Sequence, residues 1–281
     1  MPELPEVETV RRGLTPAMEG RTILRLEVNR ADLRFPFPDR FAERVEGTTI
    51  SALRRRAKFL IAELSSGAAL IMHLGMSGRF TVSGDTPGAF HHDPGTHAAH
   101  DHVVFHMSGG ARITYNDPRR FGFMELWPRD QLSNYPRLKT MGPEPLSNAF
   151  SADYLDAALK AKSGPIKSVL LDQTVIAGLG NIYVCEALFR AGISPRRKAA
   201  TIPGQRAARL APAINAVISE AIAAGGSSIS DFTNASGDLG YFQHGFAVYD
   251  REGALCKTCG EPIKRITQSG RSSFYCGRCQ R

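Results

Sequence analysis

The chain opens Met1-Pro2-Glu3-Leu4-Pro5-Glu6, and removal of Met1 would turn Pro2 into a terminal secondary amine beside two carboxylates. Such an amine attacks an aldehyde-like carbon and leaves an iminium, an electron sink from which elimination can follow. An α-amino group also starts near pKa 8, against about 10.4 for lysine, so far more of it is neutral at pH 7. Taken alone, the opening is better explained by inert prolines in the first turn of a helix, with Glu6 favoured by the helix dipole. The helix itself is expected because Val7, Val10 and Leu14 recur at helical spacing while Glu8, Arg11 and Arg12 fall elsewhere. Its positive end would then lie by Pro2, keeping the amine neutral and drawing in an anionic substrate.

A second chemistry is written at the other end. Cys256-x2-Cys259, sixteen residues, then Cys276-x2-Cys279 is the spacing of two knuckles closing a tetrahedral Zn(II) site. A pair of disulfides is disfavoured in a chain without an export signal. Cys185, alone in a helical stretch, reads as a small buried hydrophobe.

The elements that must position these groups are bounded by composition. With 281 residues and 42% hydrophobic content, the chain can bury a sizeable core and is expected to form two domains. The sequence contains no 18-residue apolar run and no signal-peptide pattern, so neither membrane nor export is indicated and the cytoplasm is expected. A net charge of +8 favours polyanionic partners such as nucleic acid. From residue 251 onward, seven Lys or Arg face two Glu.

After the first helix, short β-type runs are expected at 22–28, 59–64, 69–74, 103–107, 112–115 and 121–126, forming a β-sandwich or barrel. Residues 83–99 read as a surface loop in and after which His91, His92, His97, His100, His102 and His106 cluster; their irregular spacing makes a second metal site the minority reading. The proline-rich run at 133–148 marks a linker. Helices are expected from Ser151 to about Lys162, after Pro165 to Leu171, from Ile182 to Ala191, and between Gln205 and Ala224 with Gly225-Gly226 as the stop. The turn before Asn181 aims a helix N-terminus suited to a phosphate. Residues 226–243 read as a glycine- and serine-rich mobile loop.

PELPEVETV at the start, GLGNIY in the helical half and FYCGRCQ at the end together resemble the formamidopyrimidine-DNA glycosylase family, and the resemblance extends through AKFL at 57–60, HLGMSG at 73–78 and NDPRRFG at 116–122. It implies an α+β protein. An N-terminal β-sandwich with flanking helices (1–132) would be joined by a linker (133–150) to a helix-two-turn-helix domain (151–245) and a zinc-ribbon hairpin (246–281). It also implies a monomer with one structural Zn(II), acting on double-stranded DNA that contains oxidised bases or abasic sites. The implied activity is excision of oxidised purines, notably 8-oxoguanine and formamidopyrimidines, followed by strand cleavage.

By resemblance, Pro2 is the nucleophile at the sugar C1′, Glu3 the general acid, Glu6 its support, Lys58 an assistant in β-elimination and Arg271 the donor for δ-elimination. On residue chemistry alone, Lys58 reads as one more exposed cation after Arg54-Arg55-Arg56, and Arg271 as a phosphate clamp. A base must leave the duplex stack before C1′ can be attacked, so something must fill the vacancy. Met76, Arg119 and Phe121 match the family's inserted triad, although each alone reads as core methionine, surface arginine and strand phenylalanine. His100, Arg119, Lys162, Asn181 and Arg271 are the implied DNA-backbone contacts. Lys167 is the alternative to Lys162, and His73 joins the group or is a satisfied core histidine. The competing readings are an endonuclease VIII-like glycosylase for oxidised pyrimidines and a non-catalytic zinc-ribbon DNA-binding protein.

Overall fold

A computed structural model describes residues 1–84, 97–227 and 241–281. The chain forms two compact units, Met1–Lys139 with Ala224–Tyr241 and Thr140–Ala223 with Phe242–Arg281. Most of the loop expected at 83–99, with His91 and His92, and the interior of 226–243 lie outside the described residues.

The first unit begins with helix α1 (Leu4–Met18), followed by β1 (Ile23–Val28), a short α2 (Phe41–Val45), β2 (Ile50–Arg56), β3 (Phe59–Leu64), β4 (Ala68–His73), β5 (Arg79–Ser83), β6 (Asp101–Met107), β7 (Arg112–Asn116) and β8 (Phe123–Pro128). The strands form two antiparallel sheets, ordered β1-β6-β7-β5 and β2-β3-β4-β8. One apolar cluster joins them, with Leu26, Phe80, Phe105 and Ile113 from the first sheet and Leu53, Leu60, Leu70 and Met124 from the second. Val7, Val10 and Leu14 of α1 enter the same cluster. The apolar stripe read from the sequence is therefore the buried face of the helix.

Three elements escaped the sequence reading: α2, β2 and β5. Strand β2 (ISALRRR) looks like a charge run because it is an edge strand. It buries only Ile50 and Leu53, and its arginines face outward or pair with carboxylates, as edges tolerate. The strand expected at 121–126 starts two residues later, at Phe123, and Phe121 lies in the loop before it.

The second unit contains α3 (Ala152–Leu159), α4 (Ile166–Leu170), α5 (Asn181–Arg190) and α6 (Gln205–Ala223), then the hairpin β9 (Ile263–Gln268) and β10 (Arg271–Cys276). Ser151 caps α3 by accepting the Tyr154 N–H at 3.1 Å. Glu186 of α5, buried, accepts the backbone N–H groups of Ala247, Val248 and Tyr249 at 2.8 to 3.0 Å, which ties the segment leading into the hairpin to that helix. Among the described residues, no helix is long and apolar enough to cross a membrane.

Candidate active site and nucleic-acid interface

The start of α1 is built from buried polar groups. Pro2, Glu3 and Glu6 are all buried. Glu6 Oε2 accepts the Glu3 N–H at 2.9 Å, one half of a capping box. Glu6 Oε1 accepts both the N–H and the hydroxyl of Ser227, at 2.8 and 3.0 Å. With both oxygens engaged, Glu6 holds backbone in place. Gly226 makes this approach feasible. Its φ is +80°, and a Cβ there would lie 3.1 Å from Glu6 Oε1.

The amine at residue 1 is held below its ordinary pKa, first by burial and also by Lys58 and Arg119, against the opposing pull of Glu3 and Glu6. Removal of Met1 would place the Pro2 amine one residue along in these surroundings. Lys58, expected from composition to be one more exposed cation, is in fact buried. It sits in the two-residue turn joining β2 to β3, where Ala57 adopts φ +51°, a costly conformation for a residue with a Cβ. Arg55 bridges this turn to α1, donating from Nη1 to the Ala57 carbonyl at 3.0 Å and from Nε to Glu8 Oε2 at 3.1 Å. Burial pushes the Glu8 carboxyl up, but hydrogen bonds from Arg11, Arg12 and Arg55 outweigh it and hold the group down at about 2.

A cleft of about 560 Å³ opens beside these groups, lined by residues that include Arg34, His73, Met76, Arg119 and Phe121. Met76 is 42% exposed and Phe121 43%, so neither the core-methionine nor the strand-phenylalanine reading holds. Arg119 is exposed and lies over the Phe121 ring, 4.9 Å from its centroid. His73 stacks on Phe123 with ring centroids 5.3 Å apart and accepts the Gly75 N–H at Nδ1. Burial, with Lys58, Arg34 and Arg137 nearby, pushes its imidazole down to about 4, so it is neutral at physiological pH. His100 ends a short 3-10 turn, half-buried, with His97 and His102 at 6.5 Å on either side.

In the second unit, Cys256, Cys259, Cys276 and Cys279 bring their four sulfurs within 4.8 Å of one another. A tetrahedron with Zn–S bonds near 2.3 Å has edges of about 3.8 Å. The Cys256–Cys279 separation of 3.9 Å and the Cys259–Cys276 separation of 3.4 Å fit such an ion. The hairpin turns at Ser269-Gly270, both with positive φ as a two-residue hairpin turn requires, and Arg271 follows, exposed. Lys167, the alternative phosphate contact, is fully buried: its Nζ donates to the Ser272 carbonyl at 2.8 Å and to Ser273 Oγ at 2.7 Å. Asn181, first residue of α5, donates to the same carbonyl at 3.0 Å. Both side chains therefore anchor the strand next to Arg271, while Lys162 remains partly exposed.

Comparison with known proteins decides the family. Models of the formamidopyrimidine-DNA glycosylase N-terminal domain, the formamidopyrimidine-DNA glycosylase H2TH domain and the zinc finger found in FPG and IleRS match residues 1–124, 141–233 and 253–281. The chain belongs to the formamidopyrimidine-DNA glycosylase family. The enzyme of that name from Ruegeria pomeroyi is 62% identical, and that from Bradyrhizobium sp. 58%, each over the whole of both chains. Among solved structures, MutM (FPG) of Thermus thermophilus is 40% identical with a TM-score of 0.86, covering 99% of this chain and 98% of that one. Lactococcus lactis Fpg in complex with abasic-site DNA is 34% identical with a TM-score of 0.88, covering all of both chains.

As a member of this family, the chain carries one structural Zn(II), held by the four cysteines. Several residues that hold its site were missed in the sequence: Gly226 and Ser227 behind Glu6, Arg55 behind Lys58, and Glu186 behind the hairpin. Gly225-Gly226 read as a helix stop, and Gly226 and Ser227 as the start of a mobile loop, because the bond to Glu6 that holds Ser227 spans 221 positions and leaves no local pattern.

Proposed function

We propose that this glycosylase removes oxidised purines from duplex DNA through the Pro2 amine, freed by loss of Met1, and then cuts the strand at the abasic site. Its family acts in base-excision repair of oxidised purines and carries abasic-site lyase activity, which disfavours both the pyrimidine-specific reading and the non-catalytic one. The observation that carries the residue-level reading is the buried Pro2–Glu3–Glu6 start of α1, in surroundings that lower an amine's pKa, beside a cleft edged by Met76, Arg119 and Phe121.

In this reading the Pro2 nitrogen attacks C1′ and the damaged base departs with the glycosidic electron pair. Glu3 donates a proton to the deoxyribose ring oxygen as the ring opens, leaving an iminium. The iminium acidifies the C2′ protons. Loss of one, with Lys58 assisting, expels the 3′ phosphate; a second elimination, with Arg271 at the phosphate, expels the 5′ phosphate. Met76, Arg119 and Phe121 fill the vacated stack. His73 and His100, with Lys162 and Asn181, grip the backbone. The functional division is residues 1–132, a linker at 133–150, 151–245 and 246–281, in a monomer working in the bacterial cytoplasm at the nucleoid.

Borohydride trapping on a duplex with one 8-oxoguanine opposite cytosine tests the proposal. A covalent adduct is expected, abolished by Pro2→Gly and in protein that retains Met1. An adduct that survives Pro2→Gly would transfer the role to another amine. Trapping should rise with pH as the amine loses its proton, with a midpoint displaced to lower pH than that of a free N-terminal proline, because these surroundings lower an amine's pKa.

A further inference from the structure

The loops bearing Met76 and Arg119/Phe121 share a fully buried carboxylate, Asp117. Its Oδ1 accepts the Ser77 hydroxyl at 2.6 Å, and its Oδ2 accepts the Gly122 N–H at 2.9 Å and the Tyr115 hydroxyl at 3.2 Å. Ser77 Oγ in turn accepts the Arg119 N–H at 3.2 Å. The backbone of Asp117 reaches a third segment: its N–H donates to the His100 carbonyl at 3.1 Å, and its carbonyl accepts from His102 Nε2 at 2.9 Å. One residue thus ties together the loop after Met76, the Arg119–Phe121 turn and the His100 segment.

Packing makes the arrangement unforgiving. A Cβ on Gly75 would fall 2.3 Å from the Phe121 carbonyl carbon and the Gly122 nitrogen, so the two loops are in backbone contact. A Cβ on Gly78 would fall 2.3 Å from the Tyr115 hydroxyl, and one on Gly122 1.8 Å from it. The Tyr115 ring is therefore clamped between the loops with its hydroxyl on Asp117. Burial, and then the neighbouring Asp117, raise the phenol's pKa well above its ordinary value, so it stays a donor. A carboxylate buried among neutral donors is a costly way to hold two loops. An apolar contact would hold the sandwich together at lower cost, but it would not fix the direction of the turns.

We propose that Asp117 is a positioning residue that locks Met76, Arg119 and Phe121 into a single preformed wedge. The proposal rests on the reading of those three as the stack-filling group. It predicts a loss confined to substrates from which a base must be extruded.

The test compares Asp117→Asn with the parent on two substrates: a duplex with 8-oxoguanine opposite cytosine, and a single-stranded oligonucleotide with a preformed abasic site, where no stack needs filling. Misplacing the wedge by about 1 Å should lower duplex excision by about 100-fold. Single-strand cleavage should fall by no more than about 3-fold on the same geometric argument. Tyr115→Phe and Ser77→Ala each remove one donor and should reproduce the selective loss at about 10-fold; they serve if Asp117→Asn fails to fold. Equal loss on both substrates, or no loss on the duplex, would overturn the proposal. The Met76→Ala/Arg119→Ala/Phe121→Ala variant separates the two layers of argument. If it excises from the duplex normally, the wedge reading falls; if it fails while Asp117→Asn does not, only the positioning role falls.

Discussion

The two units solve one problem, holding a charged or reactive group at the tip of a turn, by different means. In the first unit, the turns bearing Lys58, Met76 and Arg119 are fixed by buried or half-buried side chains that bond to backbone: half-buried Arg55 to Ala57, buried Asp117 to Gly122, and buried Glu6 to Ser227 behind Pro2. In the second, Arg271 stands on a two-stranded hairpin whose small apolar cluster, built around Val248, Ile263 and Phe274, is completed by Cys185 of α5. A two-stranded hairpin is marginal in water, and the four-cysteine ion must supply what the core cannot. The geometry of the first unit therefore depends on buried hydrogen bonds alone, and that of the second on metal coordination added to the buried bonds from Lys167 and Glu186. Each unit is vulnerable accordingly: the first to sterics and protons, the second to chelators.

Zinc removal should break the comparison most visibly. Chelation, or Cys276→Ser, should abolish zinc retention and reduce DNA affinity by at least about 100-fold, because the ion folds the element that carries Arg271. The β-sheet melting transition of the first unit should persist. Equal loss of that transition in a chelation-monitored melt would show that the two strategies are not separate.

Gly122→Ala attacks the first unit alone. The new methyl would meet the Tyr115 hydroxyl at 1.8 Å and the His73 carbonyl at 2.7 Å, too close for side-chain adjustment. A destabilisation of about 3 kcal/mol, the upper end for overpacking, is expected in denaturant melts, with zinc content unchanged.

Acid should also act on the first unit. The His73 imidazole is pushed from 6.5 to about 4, so between these values the unfolded chain binds a proton that the folded chain refuses. Stability from this group is fully present above pH 6.5 and is lost as pH falls towards 4, by up to about 3 kcal/mol. Thermal melts of the parent and His73→Gln across this window should show a flatter profile in the variant; parallel profiles would refute the assignment.

Lys162→Ala is the mildest probe. Under the proposed role of Lys162 as a phosphate contact, its loss should reduce the salt dependence of DNA affinity by about one unit of slope without changing lesion preference. An unaltered slope in fluorescence-anisotropy titrations would remove Lys162 from the footprint.

Much was legible where the signal is local. The stripe Val7, Val10 and Leu14 placed α1, Ser151 marked the start of α3, and each expected strand run matched within two residues at either end. The misses share one cause. Strand β2 hides as a charge run because it is an edge strand whose arginines reach carboxylates on other elements, and Phe121 looks like strand because the Gly75 backbone packed against it lies far away in the chain. Lys162 and Lys167 look equivalent as letters. The fold buries Lys167 against Ser272 and Ser273, 105 and 106 positions downstream.

By itself the sequence determined the zinc ligands, because four cysteines at that spacing carry their own meaning, and the family, because short motifs recur along the whole chain; it singled out Pro2 as a nucleophile only through that resemblance. Only the tertiary structure decided which groups are free to act. It occupies Glu6 with Ser227, buries Lys58 and Lys167, exposes Met76 and Phe121, and sets Asp117 between two loops. The physical reason is that burial and hydrogen-bond saturation are properties of neighbours in space, and here those neighbours are mostly far apart in the chain.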